Sequence, residues 1–99
     1  MIKVGDKILQ MNKPNGTFIV FREYDSEDGF DKFLDLIHKK LGAEVTGIQQ
    51  YPYSGMADIS FPFGEATAIY QDGLGCAIRI GLNDDGLMKK IIEKCSSIR

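Results

Sequence analysis

The sequence predicts an α+β fold, a two-layer sandwich with two helices on one face of a mainly antiparallel sheet of five to six strands. Three observations carry this prediction. Two stretches repeat apolar residues at intervals of three and four, the period of an amphipathic helix. Several short runs between them alternate apolar and polar residues, the period of a strand with one covered face. The strand-like runs are joined by loops of two to five residues rich in Gly, Pro, Asn and Asp, which makes consecutive strands antiparallel. The predicted order is β-β-α-β-β-β-β-α, in a single domain over residues 1–99.

Lys7–Met11 and Thr17–Arg22 read as a hairpin around "NKPNG", where Pro14, Asn15 and Gly16 carry turn chemistry. In its second strand Phe18 and Val20 point one way, Ile19 and Phe21 the other. A strand apolar on both sides is an interior strand covered twice, or one with a face awaiting a partner. "DSEDGFDKFLDLIHKKLG" is the first helix, capped by Asp25 or Ser26, with Phe30, Phe33, Leu34, Ile37 and Leu41 on one stripe. Acids in its first turn and Lys39 and Lys40 in its last match the helix dipole, and Gly42 supplies a left-handed stop.

Residues 44–82 read as a β-meander. "EVTGIQQY" alternates weakly. "MADISFPF" turns Ala57, Ile59 and Phe61 to one face and Asp58 and Ser60 to the other, until Pro62 stops it. "EATAIYQ" aligns Ala66, Ala68 and Tyr70. "CAIRIGL" points Cys76, Ile78, Ile80 and Leu82 inward, Ala77 and Arg79 outward. The second helix starts at an Asn83 cap, with Leu87, Ile91, Cys95 and Ile98 on one face and Met88 and Ile92 beside it. The succession of elements resembles profilin-like and longin-like domains in layout alone, with no shared motif, and implies no function.

The hydrophobic fraction of 43% is that of a globular chain, not a disordered one. No apolar run approaches the roughly eighteen residues of a transmembrane helix, so no membrane partner is expected. Lys3, Asp6 and Lys7 interrupt the apolar stretch a signal peptide would need, and the expected location is cytoplasmic. Net charge is −2, but it is segregated: residues 1–22 carry +3, 23–35 carry −5, 44–85 carry −5 and 86–99 carry +3. No basic cluster is interleaved with aromatics, which argues against nucleic acid as a partner.

Two cysteines, Cys76 and Cys95, make no disulfide framework, and both fall on apolar faces, where a thiol is inert. Neither has a histidine or cysteine at ligand spacing, so no metal site is expected. The single histidine, His38, stands off the main apolar stripe of the first helix as a surface or boundary residue. "DSEDGFD" imitates a calcium loop, yet with its glycine at loop position six, position one falls on Tyr24 rather than a carboxylate. "GLNDDG" lies at a strand-to-helix junction, where its acids repel a phosphate and a capped helix start accounts for it. No catalytic or cofactor-binding residues are assigned.

The remaining feature is "YPYSGM", residues 51–56, a proline-kinked turn with two tyrosines. It holds no acid–base pair, and tyrosine is enriched at protein interfaces. The expectation is a protein-binding domain rather than an enzyme, in its most concrete form a small bacterial-type inhibitor or immunity-type protein with an acidic surface for a basic partner. The candidate contact residues are Tyr51, Tyr53, Glu27, Asp28, Asp31 and Asp58. A homodimer through the uncovered sheet face is compatible with this. The alternative is a small-ligand-binding protein or enzyme with a pocket between sheet and helices, in which His38, Cys76 and the acids of residues 58–85 would converge.

Overall fold

The computed structural model describes residues 2–5, 8–14, 16–22, 29–51, 54–71, 75–81 and 85–95. Seven strands form one antiparallel sheet: β1 (Ile2–Gly5), β2 (Ile8–Lys13), β3 (Gly16–Phe21), β4 (Glu44–Tyr51), β5 (Ser54–Phe61), β6 (Gly64–Gln71) and β7 (Gly75–Ile80). Helix α1 (Gly29–Leu41) follows β3 and α2 (Asp85–Cys95) follows β7. The predicted class and order hold, with one added strand at the N-terminus. Strand β1 is four residues long and pairs with β2 through Ile2↔Gln10 and Lys3↔Leu9.

The strand order across the sheet is β1-β2-β3-β7-β6-β5-β4. The first three strands run as a meander, and α1 then carries the chain across the sheet to its far edge. Strands β4 to β7 return step by step until β7 closes against β3. The strand that read as apolar on both sides is therefore interior, with β2 on one flank and β7 on the other.

Both helices cover the same face. Cross-strand rows on that face run Tyr70–Cys76–Phe21–Ile8, then Ala57–Ala68–Ile78–Ile19, then Ile59–Ala66–Ile80. The predicted stripe of α1, Phe30, Phe33, Leu34, Ile37 and Leu41, is buried in full. So are Leu87, Ile91 and Cys95 of α2, with Met88 and Ile92 packed partly beside them. Phe33 meets Phe21 at 5.0 Å between ring centroids. Small sheet residues admit the larger helix side chains: a Cβ on Gly55 would stand 3.1 Å from Phe30 Cε2, and one on Gly64 would stand 3.1 Å from Leu87 Cδ1.

Gly42 adopts φ 75°, the left-handed stop expected at the end of α1. There the Ala43 N–H bonds back to the Ile37 carbonyl at 3.2 Å, and His38 Nδ1–H donates to the Ala43 carbonyl at 2.8 Å. Gly16 closes the β2–β3 hairpin with φ 144°, and a Cβ there would stand 2.6 Å from the Ile80 carbonyl oxygen. The predicted caps Asp25, Ser26 and Asn83, and the inward residues Leu82 and Ile98, lie outside the described residues.

Candidate functional site

No described helix packs on the second sheet face, and its chemistry is ordered in rows. One row runs Lys3–Leu9–Val20–Ala77–Ile69–Met56–Gln49 across all seven strands. Ala77, read from sequence as outward, does lie on this face, yet it is fully buried and Val20 is 3% exposed. Val20 and Ala77 pair on the central strands β3 and β7, between Leu9 of β2 and Ile69 of β6. Leu9 and Ile69 are half-buried, and Met56, toward the β4 edge, is exposed.

The next row runs Met11–Phe18–Arg79–Thr67–Asp58. Around it lies an open depression of about 480 Å³ lined by Thr46, Asp58, Glu65, Thr67 and Arg79. Glu44 and Glu65 flank Ser60 on the same face, so three acids gather on β4, β5 and β6. Lys3 and Lys13 occupy the opposite end, on β1 and β2. The uncovered face is thus apolar through its middle, acidic at one end and basic at the other.

Among the described residues strand β4 pairs with β5 alone and forms the acidic-side edge. A bulge between Val45 and Gly47 leaves Thr46 unpaired, and its hydroxyl donates to the Asp58 carbonyl at 3.2 Å. Val45 and Ile48 stand opposite Ile59 and Ala57, hence on the helix side of the sheet, yet they are 39% and 55% exposed. Together with Met56 they are the exposed large hydrophobic residues among the described residues, and all three lie on β4 and β5.

The predicted contact residues divide. Asp58 is exposed on the uncovered face. Asp31 is exposed in the first turn of α1, on the other side of the sheet. Tyr51 ends β4 opposite Ser54, and its side chain lies outside the described residues, as do Tyr53, Glu27 and Asp28 altogether. Phe30 packs over Gly55, next to that Tyr51–Ser54 pair, so the start of α1 and the end of the β4–β5 hairpin share one end of the molecule. Asp31 lies on the helix side of the sheet and Asp58 on the uncovered face.

The residues proposed for a catalytic pocket do not share one surface. Cys76 and Cys95 are fully buried in the core, and burial pushes the Cys95 thiol up to about 12. His38 is exposed, with Nδ1 engaged at the end of α1. The 480 Å³ depression lies on the uncovered face, not between sheet and helices. Sequence reading missed the exposed apolar pair Val45 and Ile48; the weak alternation of "EVTGIQQY" was the only trace of it, since a bulge breaks the period of two. Among the described residues no helix is long and apolar enough to cross a membrane. Comparison with known protein families, curated proteins and solved structures finds no match to this chain.

Proposed function

We propose that this chain is a protein-binding domain, most concretely a small inhibitor or immunity-type protein, and that the uncovered sheet face is its contact surface. The observation that carries this reading is the row Leu9–Val20–Ala77–Ile69–Met56, of which Leu9, Ile69 and Met56 reach the surface, with charged groups on its flanks. An apolar centre with a polar rim is the anatomy of a protein interface. The acids Glu44, Asp58 and Glu65 favour a partner whose matching patch is basic, by complementarity of the two fields. Met56 is the anchor in this reading, because an exposed thioether adapts to an irregular partner surface.

The test is affinity capture with the wild-type chain, Met56→Lys and Asp58→Asn as baits, followed by binding measurements on the purified captured protein. A basic polypeptide should bind the wild type, bind Asp58→Asn more weakly, and be lost with Met56→Lys. Equal binding by all three baits would move the contact surface elsewhere. A small-ligand reading has one observation in its favour, the depression holding Asp58, Glu65, Thr67 and Arg79. Arg79→Gln would abolish ligand-induced stabilisation in a thermal-shift screen of small anions if that reading held.

A further inference from the structure

We propose that the uncovered face of one copy packs on the same face of a second, about a two-fold axis that runs parallel to the strands between β3 and β7. This rests on the reading of that face as a protein contact surface, and it names the basic patch that the acids there require: Lys3 and Lys13 of the second copy. A basic heterologous partner then competes with the dimer for one surface.

Charge decides both the occupant and the axis. Lys3 and Lys13 stand on β1 and β2, while Glu44, Asp58 and Glu65 stand on β4, β5 and β6, at the other end of the strand order. All five residues are exposed. An axis across the strands would lay β1 on β1 and acid on acid. An axis along the strands reverses the strand order, so the basic end of each copy covers the acidic end of the other. With that axis between β3 and β7, β2 comes opposite β6 and β1 opposite β5. Lys13 lies two residues beyond Met11, and Glu65 two residues beyond Thr67, in the same direction from the row that Met11 and Thr67 share, so Lys13 faces Glu65. Asp58, in that row on β5, comes between Lys3 and Lys13. Among the described residues no charge is set against its like.

The apolar groups obey the same axis. Leu9, Met11 and Phe18 lie on one side of it and Ile69 and Met56 on the other, all half-buried except the exposed Met56. Leu9 comes opposite Ile69, and Phe18 comes opposite Arg79, which sets a cation over a ring instead of over its own copy. Met11 and Lys13 of the second copy enter the open depression of about 480 Å³ beside Glu65, Thr67 and Arg79. Aligned sheets stand about 10 Å apart, which one layer of side chains from each copy fills. Six overlapping strands span about 25 Å, and about 20 Å along them is shared, so the contact covers about 1,000 Å² in total, the threshold of a specific interface.

Sedimentation equilibrium of the full chain, from micromolar to near-millimolar concentration, tests this. The wild type should approach twice the 11.0 kDa chain mass, with a dissociation constant that rises in high salt. Lys13→Glu and Glu65→Lys each set like charges against one another, and each should raise that constant by about tenfold or more, with an unchanged far-ultraviolet spectrum. An equal mixture of the two variants should associate again, because both pairs in the mixed dimer are then of opposite sign. Ile48→Lys, on the helix side, should remain dimeric. A wild type monomeric throughout the range, a dimer indifferent to Lys13→Glu, or a mixture that fails to recover would overturn the proposal. Lys13 has no part in the acidic contact proposed for a heterologous partner, which separates the two readings. A basic polypeptide captured equally by Lys13→Glu and by a monomeric wild type would end the dimer and keep the contact face. A dimer that recovers on mixing, with no polypeptide captured, would support the dimer and end the heterologous reading.

Discussion

Gly55 sets how closely α1 can approach the sheet. With hydrogen in place of a side chain, it lets the Phe30 ring lie against the β5 backbone, at distances a Cβ would make tighter than ordinary contact. Ile80 acts in the opposite sense, filling space: it is 1% exposed in the row with Ala66 and Ile59, where small neighbours leave its volume without a substitute. Ile80→Ala should cost about 2–4 kcal/mol in urea unfolding, from lost burial and the residual cavity. A loss under about half a kcal/mol would mean the site collapses freely, contrary to its packing. Cys95 adds a pH dependence. Its folded-state value, about 12, lies above the ordinary 9.0, so the folded state favours the neutral thiol. That contribution is fully present below pH 9.0 and is lost as pH rises toward 12. Unfolding midpoints measured from pH 8 upward should therefore fall in the wild type more steeply than in Cys95→Ala, and equal slopes would contradict it.

Each helix has a glycine near one end, and the two should respond oppositely to the same substitution. Gly42 holds φ 75° beyond the last turn of α1, where an L side chain strains the backbone. Gly86 lies in the first turn of α2 with open space where a Cβ would go. Gly42→Ala should destabilise the protein by about 1–2 kcal/mol, and Gly86→Ala should stabilise it by about 0.5–1 kcal/mol. Thermal melts of the two variants check both signs together. At the end of α1 the His38 ring joins this device, because its bond to Ala43 ties the helix to the residue that leads into β4. The lone histidine is accounted for by this tether. Asp35 and Lys39, paired at 2.9 Å on the exposed face of the same helix, contribute little, since both remain in solvent.

At the scale of the molecule, the crossing made by α1 separates the charges. Asp31 goes to the helix side, and Asp58 goes to the uncovered face. Two acidic regions that look continuous in composition are thus presented in different directions. Stopped-flow kinetics with a captured partner should separate their effects. Neutralising Asp58 and Glu65 should slow association and flatten its salt dependence, because charges on the contacting face steer encounter. Neutralising Asp31 should leave the association rate nearly unchanged. Replacing Tyr51 and Tyr53 with alanine should speed dissociation only if the hairpin end touches the partner. A larger effect from Asp31 than from Asp58 would place the interface on the helix side, and the uncovered face would lose its case.

The amino-acid sequence by itself determined the elements whose pattern is local. The stripe from Phe30 to Leu41, the alternation from Ala57 to Phe61 and the turn at Gly16 are legible because helical and strand periods depend on neighbours a few residues apart. β1 passed unread: a strand of four residues is too short for its alternation to stand out. Only the tertiary structure decided which strands are central and which are edges, since β3 and β7 are brought together by pairing across more than fifty residues of chain. That pairing puts Ala77, which the alternation marks as outward, beside Val20 in the middle of the sheet, where both are buried, while Val45 and Ile48, on the weakly alternating edge strand β4, are exposed on the helix side. Burial depends on what stands on either flank of a strand, a relation between distant segments that no local period records.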